Sequence, residues 1–307
     1  MPVVYSVVGR IDDGEFHKCI NFITKLAEAV GSVQVETDLL LEIDWRAYLL
    51  RKKRELGGRA FEHSANYIVI KNDQDYVGDM TDLMASLSEE ELKKVDEDEA
   101  KEQNFSVLAN KAYLKKIAER GHKLAYMDIN IEGEGQYRLE IELYTDIVPK
   151  TANNFRCLCT GEMGENENGL RLGYRDSIFH RVVPGGWVQG GDITGASGAG
   201  GWSVYGQTFP DESFAVRFDQ EGVVAMANDG GAPHSNGSQF FVALAPLPFL
   251  DRRAVALGRV AAGMGCVHRL AALPQANERP RPLCKVIGCG EIDLGGLGLA
   301  GAGAGAG

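Results

Sequence analysis

Apolar and polar positions follow two different periods along this chain, and the change of period divides it. VVYSVV, Val3–Val8, is a β-rich run. EFHKCINFITKLAEAV, Glu15–Val30, places Phe16, Cys19, Ile20, Ile23, Leu26 and Ala27 at the spacing of one helical face. VQVET predicts a second short strand. DWRAYLLRKKREL, Asp44–Leu56, predicts a helix N-capped by Asp44 and stopped before Gly57. ANYIVI, KNDQ and DYVG predict a hairpin, and DMTDLMASL a short helix. Residues 86–104 are dense in charge. Ser88 and Glu91 stand at capping-box spacing there, and the stretch reads as a solvated helix or linker. Phe105–Arg120 predicts an amphipathic helix with Val107, Leu108, Leu114 and Ile117 on its apolar face. From Leu124 the texture changes. AYMDINIEG and YRLEIELY alternate with period two around the turn EGEGQ, glycine becomes frequent, and turn signals recur, as in an all-β barrel or sandwich. VPKTANNFRCLCTGE predicts a helix opened by Pro149 and stopped at Gly161. The final GGLGLAGAGAGAG has nothing to bury and is expected to be disordered.

The order βαβα then ββα resembles thioredoxin-like folds, glutaredoxins in particular. The reactive CxxC of those enzymes is replaced by GRIDDGEFHKC, which keeps only Cys19, on the buried face of its helix. The proline that usually precedes their third strand is absent from HSANYIVI. A reactive thiolate needs an electropositive, exposed setting, and Asp12, Asp13 and Glu15 provide the reverse. An interaction or docking role is therefore expected of this segment.

Composition narrows the partners. The 307 residues carry a formal net charge of −11, and such an excess of acid repels phosphate backbones and anionic headgroups. Neither nucleic acid nor membrane is an expected partner. No apolar run approaches the ~20 residues of a spanning helix, and the first residues do not read as a signal peptide. Cys19, Cys157, Cys159, Cys266, Cys284 and Cys289 form no CxxC and no metal-ligand pattern, which fits reduced thiols in the cytoplasm. No metal and no cofactor is expected. The N-x-S triplets at Asn104 and Asn236 are read as unglycosylated. GASGAGG, residues 195–201, lacks the lysine and the strand–loop–helix setting of a phosphate loop and is read as a flexible edge.

Seven motifs then fall in a consistent order: VPKTANNFRCLCTGE, FHRVVPGGWVQGGD, GAGGWSVYG, FPDESF, GVVAMAN, NGSQFFV and FLDRRAVALGRV. Over about 170 residues, from Ala125 to Ile292, the chain resembles a cyclophilin, a peptidyl-prolyl cis–trans isomerase. The resemblance implies an eight-stranded antiparallel barrel closed by two helices, Pro149–Thr160 and roughly Gly263–Leu273. The expected organisation is a thioredoxin-like segment at 1–87, an acidic and then amphipathic connection at 88–121, the barrel at 122–293, and the tail at 294–307. With its preceding α/β segment the chain is most similar to the peptidyl-prolyl isomerase-like 6 group. That group is associated with motile cilia and radial spokes. Radial-spoke or other axonemal proteins are accordingly implied partners, and a ciliary address is implied alongside the cytoplasmic one.

The chemistry asks for little. Rotating an X-Pro bond means losing amide resonance, a barrier of ~18–20 kcal/mol. No bond breaks, so no nucleophile is needed. In the twisted transition state the proline nitrogen becomes a hydrogen-bond acceptor, and a fixed donor aimed at it binds that state selectively. The resemblance assigns the donor role to Arg181, with Gln189 as its orienting partner and Asn228 as the third catalytic position. It implies substrate contacts at Trp187, Gly198, Ala227, Asp229, Gln239, Phe241, Phe249 and Leu250. His180 reads as a packed or hydrogen-bonded histidine.

Several positions depart from the family pattern. Gly186 and Trp187 stand where phenylalanine and methionine are usual, Ala254 replaces a histidine at the pocket mouth, and Phe249 replaces a tryptophan. The loop DGGAPHS is two residues longer than in the commonest members. These changes predict an isomerase of reduced activity acting on proline-containing protein segments. The alternative is a module that holds such segments inside an assembly without turning them over. A redox-regulated isomerase using Cys157, Cys159 or Cys289 is a third reading.

Overall fold

The computed structural model describes residues 2–95, 104–195, 197–228 and 232–295. The chain forms two compact units, divided in sequence between Lys116 and Ile117.

The first unit is α/β. Strand β1, Val3–Arg10, lies parallel to β2, Val33–Leu40, and antiparallel to β3, Tyr67–Lys71, which continues as a hairpin into β4, Asp75–Gly78; the sheet order is β2-β1-β3-β4. The parallel pair requires a crossover, supplied by helix α1, Gly14–Val30. Asp13 caps this helix by accepting from Phe16 N–H at 2.8 Å, and Gly31 ends it in the left-handed conformation. Its buried face is Phe16, Cys19, Phe22, Ile23 and Leu26, with Ile20 and Ala27 at the margin of the core.

Helix α2 spans Glu42–Leu56 and starts earlier than the sequence suggested. Leu41 occupies its N-cap without a side-chain bond, and Asp44 stands in the first turn, where its charge complements the helix dipole. Helix α3, Met80–Ser86, and the short α4, Glu89–Leu92, both carry capping boxes, Asp79 with Asp82 and the expected Ser88 with Glu91.

Helix α5, Phe105–Glu119, buries Ile117 of the expected face but otherwise turns a shifted one inward. Ala109, Tyr113 and Ile117, four residues apart, are buried, and Val107 is 46% exposed. The acidic stretch 96–103 and the glycine–alanine tail from residue 296 lie outside the described residues.

The second unit carries eight antiparallel strands in the order β14-β5-β6-β11-β9-β10-β8-β7. They are β5 Lys123–Ile131, β6 Gly135–Leu143, β7 Phe179–Val183, β8 Trp187–Gly190, β9 Val223–Met226, β10 Phe240–Ala243, β11 Ala256–Ala262 and β14 Cys284–Ile292. An isolated antiparallel bridge, Ile178 to Lys285, brings the two outer strands of this order together, so the barrel is nearly closed. Inward positions alternate with outward ones, as the period-two pattern requires; Met127, Ile129 and Ile131 are fully buried.

Helix α6, Pro149–Thr160, packs Phe155 against Tyr174 and Phe240 with ring centres 5.1 and 5.2 Å apart. Helix α7, Met264–Ala271, is the second expected helix, with Gly263 as its N-cap. Between α7 and β14 a small hairpin pairs β12, Gln275–Ala276, with β13, Arg279–Pro280.

Candidate proline-binding groove

Strands β7 and β8 form a hairpin that sets Arg181 opposite Gln189 and Val183 opposite Trp187. Strand β10 pairs with β8 on its other side, placing Phe241 opposite Gln189. One face of three short strands therefore gathers a cation, an amide and two aromatics.

An open cleft of about 890 Å³ lies over this face, lined by Arg181, Trp187, Gln189, Ala227, Asn228 and Phe241 among others. Its floor joins a core of Phe218, Val223, Ala225, Phe241, Leu247 and Ala254, on which Trp187 and Leu250 pack. Trp187 and Phe241 are in tilted contact at 5.7 Å, and Phe218 stacks on Phe241 at 5.9 Å. The indole thus packs on the floor and lines the cleft without closing it. Gly186 sits in the β7–β8 turn; its N–H donates to Val183 O, and its carbonyl accepts from Leu244 N–H.

A second hollow of about 300 Å³ shares Arg181, Gln189, Ala227 and Asn228 with the first and continues to Gly198 and Gln239. Its wall is the glycine-rich loop after Asp192. Burial works against the charge of Asp192. Thr194 Oγ1 and the N–H groups of Thr194, Gly198 and Gly195 overcome it and bring the carboxyl down to about 2. Gln239 Nε2 holds the same loop by donating to Gly198 O at 3.0 Å and Gly200 O at 2.6 Å. Gly198 has φ +85°, and a Cβ there would come within 2.6 Å of His180 Cδ2. The glycine is therefore required by its own backbone and by the histidine ring beneath it. His180 is buried, and burial lowers its pKa; its ring nitrogens meet no partner in good hydrogen-bond geometry among the described residues. It is a packed histidine, as expected.

The partner of the guanidinium differs from the expected one. Gln189 stays opposite Arg181, but its Oε1 accepts from Trp187 Nε1 at 3.2 Å and its Nε2 donates to Gln239 Oε1 at 2.9 Å. Arg181 Nε donates instead to Glu278 Oε2 at 2.6 Å, and its Cζ stands 5.7 Å from the Trp187 ring centre. Glu278 lies at the tip of the β12–β13 hairpin.

Asn228 faces the cleft and ties its floor, donating to Arg253 O at 2.7 Å. Ala227 N–H donates to Gln239 O. Leu250 lines the cleft; Phe249 is 56% exposed and is not among its lining residues. Asp229 lies outside the described residues. Glu278, Asp211, His234, Arg252 and Arg253 were absent from the expected set. The motif FPDESF holds Asp211, the loop DGGAPHS holds His234, and FLDRR holds the two arginines, but only an acid beside Asn277 signalled Glu278.

Thiol chemistry finds no support in this geometry. Burial raises the pKa of Cys19 and Cys266 to about 12 and of Cys289 to about 11, and it also raises Cys157 and Cys159. None of these is poised as a thiolate at neutral pH.

A nearly closed antiparallel barrel thus carries a cleft floored by aromatic side chains and edged by the guanidiniums of Arg181, Arg252 and Arg253. Residues 126–291 match the family described as cyclophilin type peptidyl-prolyl cis-trans isomerase/CLD. Proteins named "Probable inactive peptidyl-prolyl cis-trans isomerase-like 6" from Homo sapiens and Bos taurus are each 40% identical to the chain, and the one from Mus musculus is 39% identical. Each covers 82% of this chain, and the matches span 79%, 80% and 79% of those proteins. The chain belongs to the cyclophilin family.

Proposed function

We propose that the cleft binds X-Pro segments of protein partners and turns them over slowly, with Arg181 as the donor to the twisting proline nitrogen. The observation that carries this reading is the position of Arg181. It lines the cleft beside Trp187 and Phe241, with its charge permanent and its fork only partly engaged. The apolar floor holds the ring still. A donor of this kind supplies roughly 10²–10³ in rate when well placed.

Two features support slow turnover. Gly186 and Ala254 leave the floor without the usual aromatic and histidine, a loss of about 1.5–3 kcal/mol of apolar contact, partly returned by Trp187. Glu278 also holds Arg181 Nε. The relatives named as probable inactive fit the same picture.

Exchange NMR on a proline peptide tests the reading. The full chain is expected to accelerate cis–trans exchange measurably, and Arg181→Ala to remove most of that acceleration while the peptide still binds. Equal acceleration by both proteins overturns the donor role. If the native chain binds the peptide without accelerating it, the holding module is the correct reading. A radial-spoke or axonemal partner rests on the likeness within the family. Co-purification from cilia against cytosol, with crosslinks mapped to residues 186–250, tests it.

A further inference from the structure

The rim of the cleft carries more positive charge than proline recognition requires. Arg252 and Arg253 line the same cavity as Arg181, both are exposed, and neither has an ion pair among the described residues. Arg252 holds φ +62°, a backbone that suits glycine, so its side chain is kept there against local strain.

The acids nearby are occupied. Asp211 is the one carboxylate among the described lining residues. Its Oδ1 accepts from Asn236 Nδ2 at 2.8 Å and its Oδ2 from His234 N–H at 2.9 Å. His234 Nδ1 accepts from Asp211 N–H at 3.1 Å and stands 3.3 Å from Asp211 Oδ2. On the arginines' own turn, Asp251 accepts from Phe218 N–H and pairs with Arg217 at 3.5 Å. Among the described lining residues three guanidiniums face one carboxylate, so this part of the surface is locally cationic in a chain of net charge −11. Screening over ~8 Å at physiological salt makes the near charges decide. A volume of about 890 Å³ holds more than a proline ring, so neighbouring side chains of a bound segment enter the same space.

We infer that the groove selects proline segments carrying a carboxylate side chain, Asp or Glu, within two residues of the proline, recognised by Arg252 and Arg253. This deepens the proline-groove reading and rests on it.

The test uses the full chain and pairs of labelled proline peptides that differ only by Glu or Gln, placed in turn at each of the two positions on either side of proline. At low salt, polarisation titrations are expected to show the Glu peptide of at least one pair binding roughly three- to tenfold tighter, a gap that shrinks as salt is added. An Arg252→Ser, Arg253→Ser double variant is expected to close that gap. Equal binding within every pair, with the neutral peptides still bound, overturns the inference and leaves the proline groove standing. A gap that survives the double variant overturns the role of these arginines. Failure of every peptide to bind overturns both readings.

Discussion

Glu278 Oε2 lies 2.6 Å from Arg181 Nε, so a carboxylate on a neighbouring hairpin holds the group expected to act on proline. The tip is fixed to β7 by the bond from Val182 N–H to Glu278 O at 2.6 Å, and Glu278 itself has φ +62°. Both side chains are a little over two-fifths exposed, at 44% and 43%, which limits the pair to about 0.2–1 kcal/mol. If the pair must loosen before the guanidinium reaches its target, it slows turnover by about 1.4- to fivefold. Glu278→Gly is therefore expected to speed exchange by that factor. It also relieves left-handed strain, so the melting temperature should stay nearly level. An unchanged or lower rate, measured by exchange NMR, would show that Glu278 orients Arg181 instead of restraining it.

Rebuilding the family's pocket is not symmetrical. Gly186 is buried in the β7–β8 turn, and a Cβ there would stand 3.1 Å from Val183 Cγ1, so that half-buried side chain must give by a few tenths of an ångström. Ala254 is 6% exposed, within the cluster containing Phe218 and Phe241. Gly186→Phe, which needs only the Val183 side chain to shift, should cost less than Ala254→His and tighten proline binding. Ala254→His should cost about 1–3 kcal/mol by overpacking. Thermal denaturation of the single variants separates them, and equal losses would refute the packing argument.

Asp192 ties the loop that walls the smaller hollow. Asp192→Ala removes a charged acceptor from several N–H groups, at a cost of about 1.5–3 kcal/mol. Its carboxyl is lowered to about 2, so the stability it supplies is present above its unfolded value near 3.9 and lost as pH falls towards 2. Acid titration of the native protein should show this loss, and the variant should lack it.

A second pH effect has the opposite sign. His122 bonds Glu142 at 2.8 Å and Asp146 at 2.9 Å; the bond to Glu142 does most to raise its pKa. Burial resists the charge on Glu142. His122, Arg259 and Arg120 overcome that resistance and set it at about 2. The contribution of charged His122 is complete below its unfolded value near 6.5 and is lost as pH rises through the higher folded value. Calorimetry from pH 5.5 to 8.5 should show the barrel transition falling, and His122→Gln should flatten the trend. A transition that does not move with pH in the native chain would contradict this network.

Much of the barrel was legible because its strands bury one face each. Alternation in AYMDINIEG and YRLEIELY translates directly into β5 and β6, and Pro149 and Gly161 bracket α6 as punctuation alone suggests. Helix α5 was misread because its buried face uses Ala109 and Tyr113, residues whose types do not announce burial, while Val107 stays outside. Arg181, Gln189 and Phe241 do meet in one groove. Glu278 could not be read as a partner of Arg181, being 97 positions away. Only the fold of the β12–β13 hairpin brings them together, and no periodicity records that.

The bridge from Ile178 to Lys285 has a consequence for biogenesis. Seven staves of the cask leave the ribosome before Cys284–Ile292, and until that last one docks between its neighbours the rows of amides along β5 and β7 have no seal. A chain cut short ahead of Cys284 would keep its proline cleft in sequence yet present two raw borders to other chains, and should accumulate as aggregate instead of as a smaller receptor.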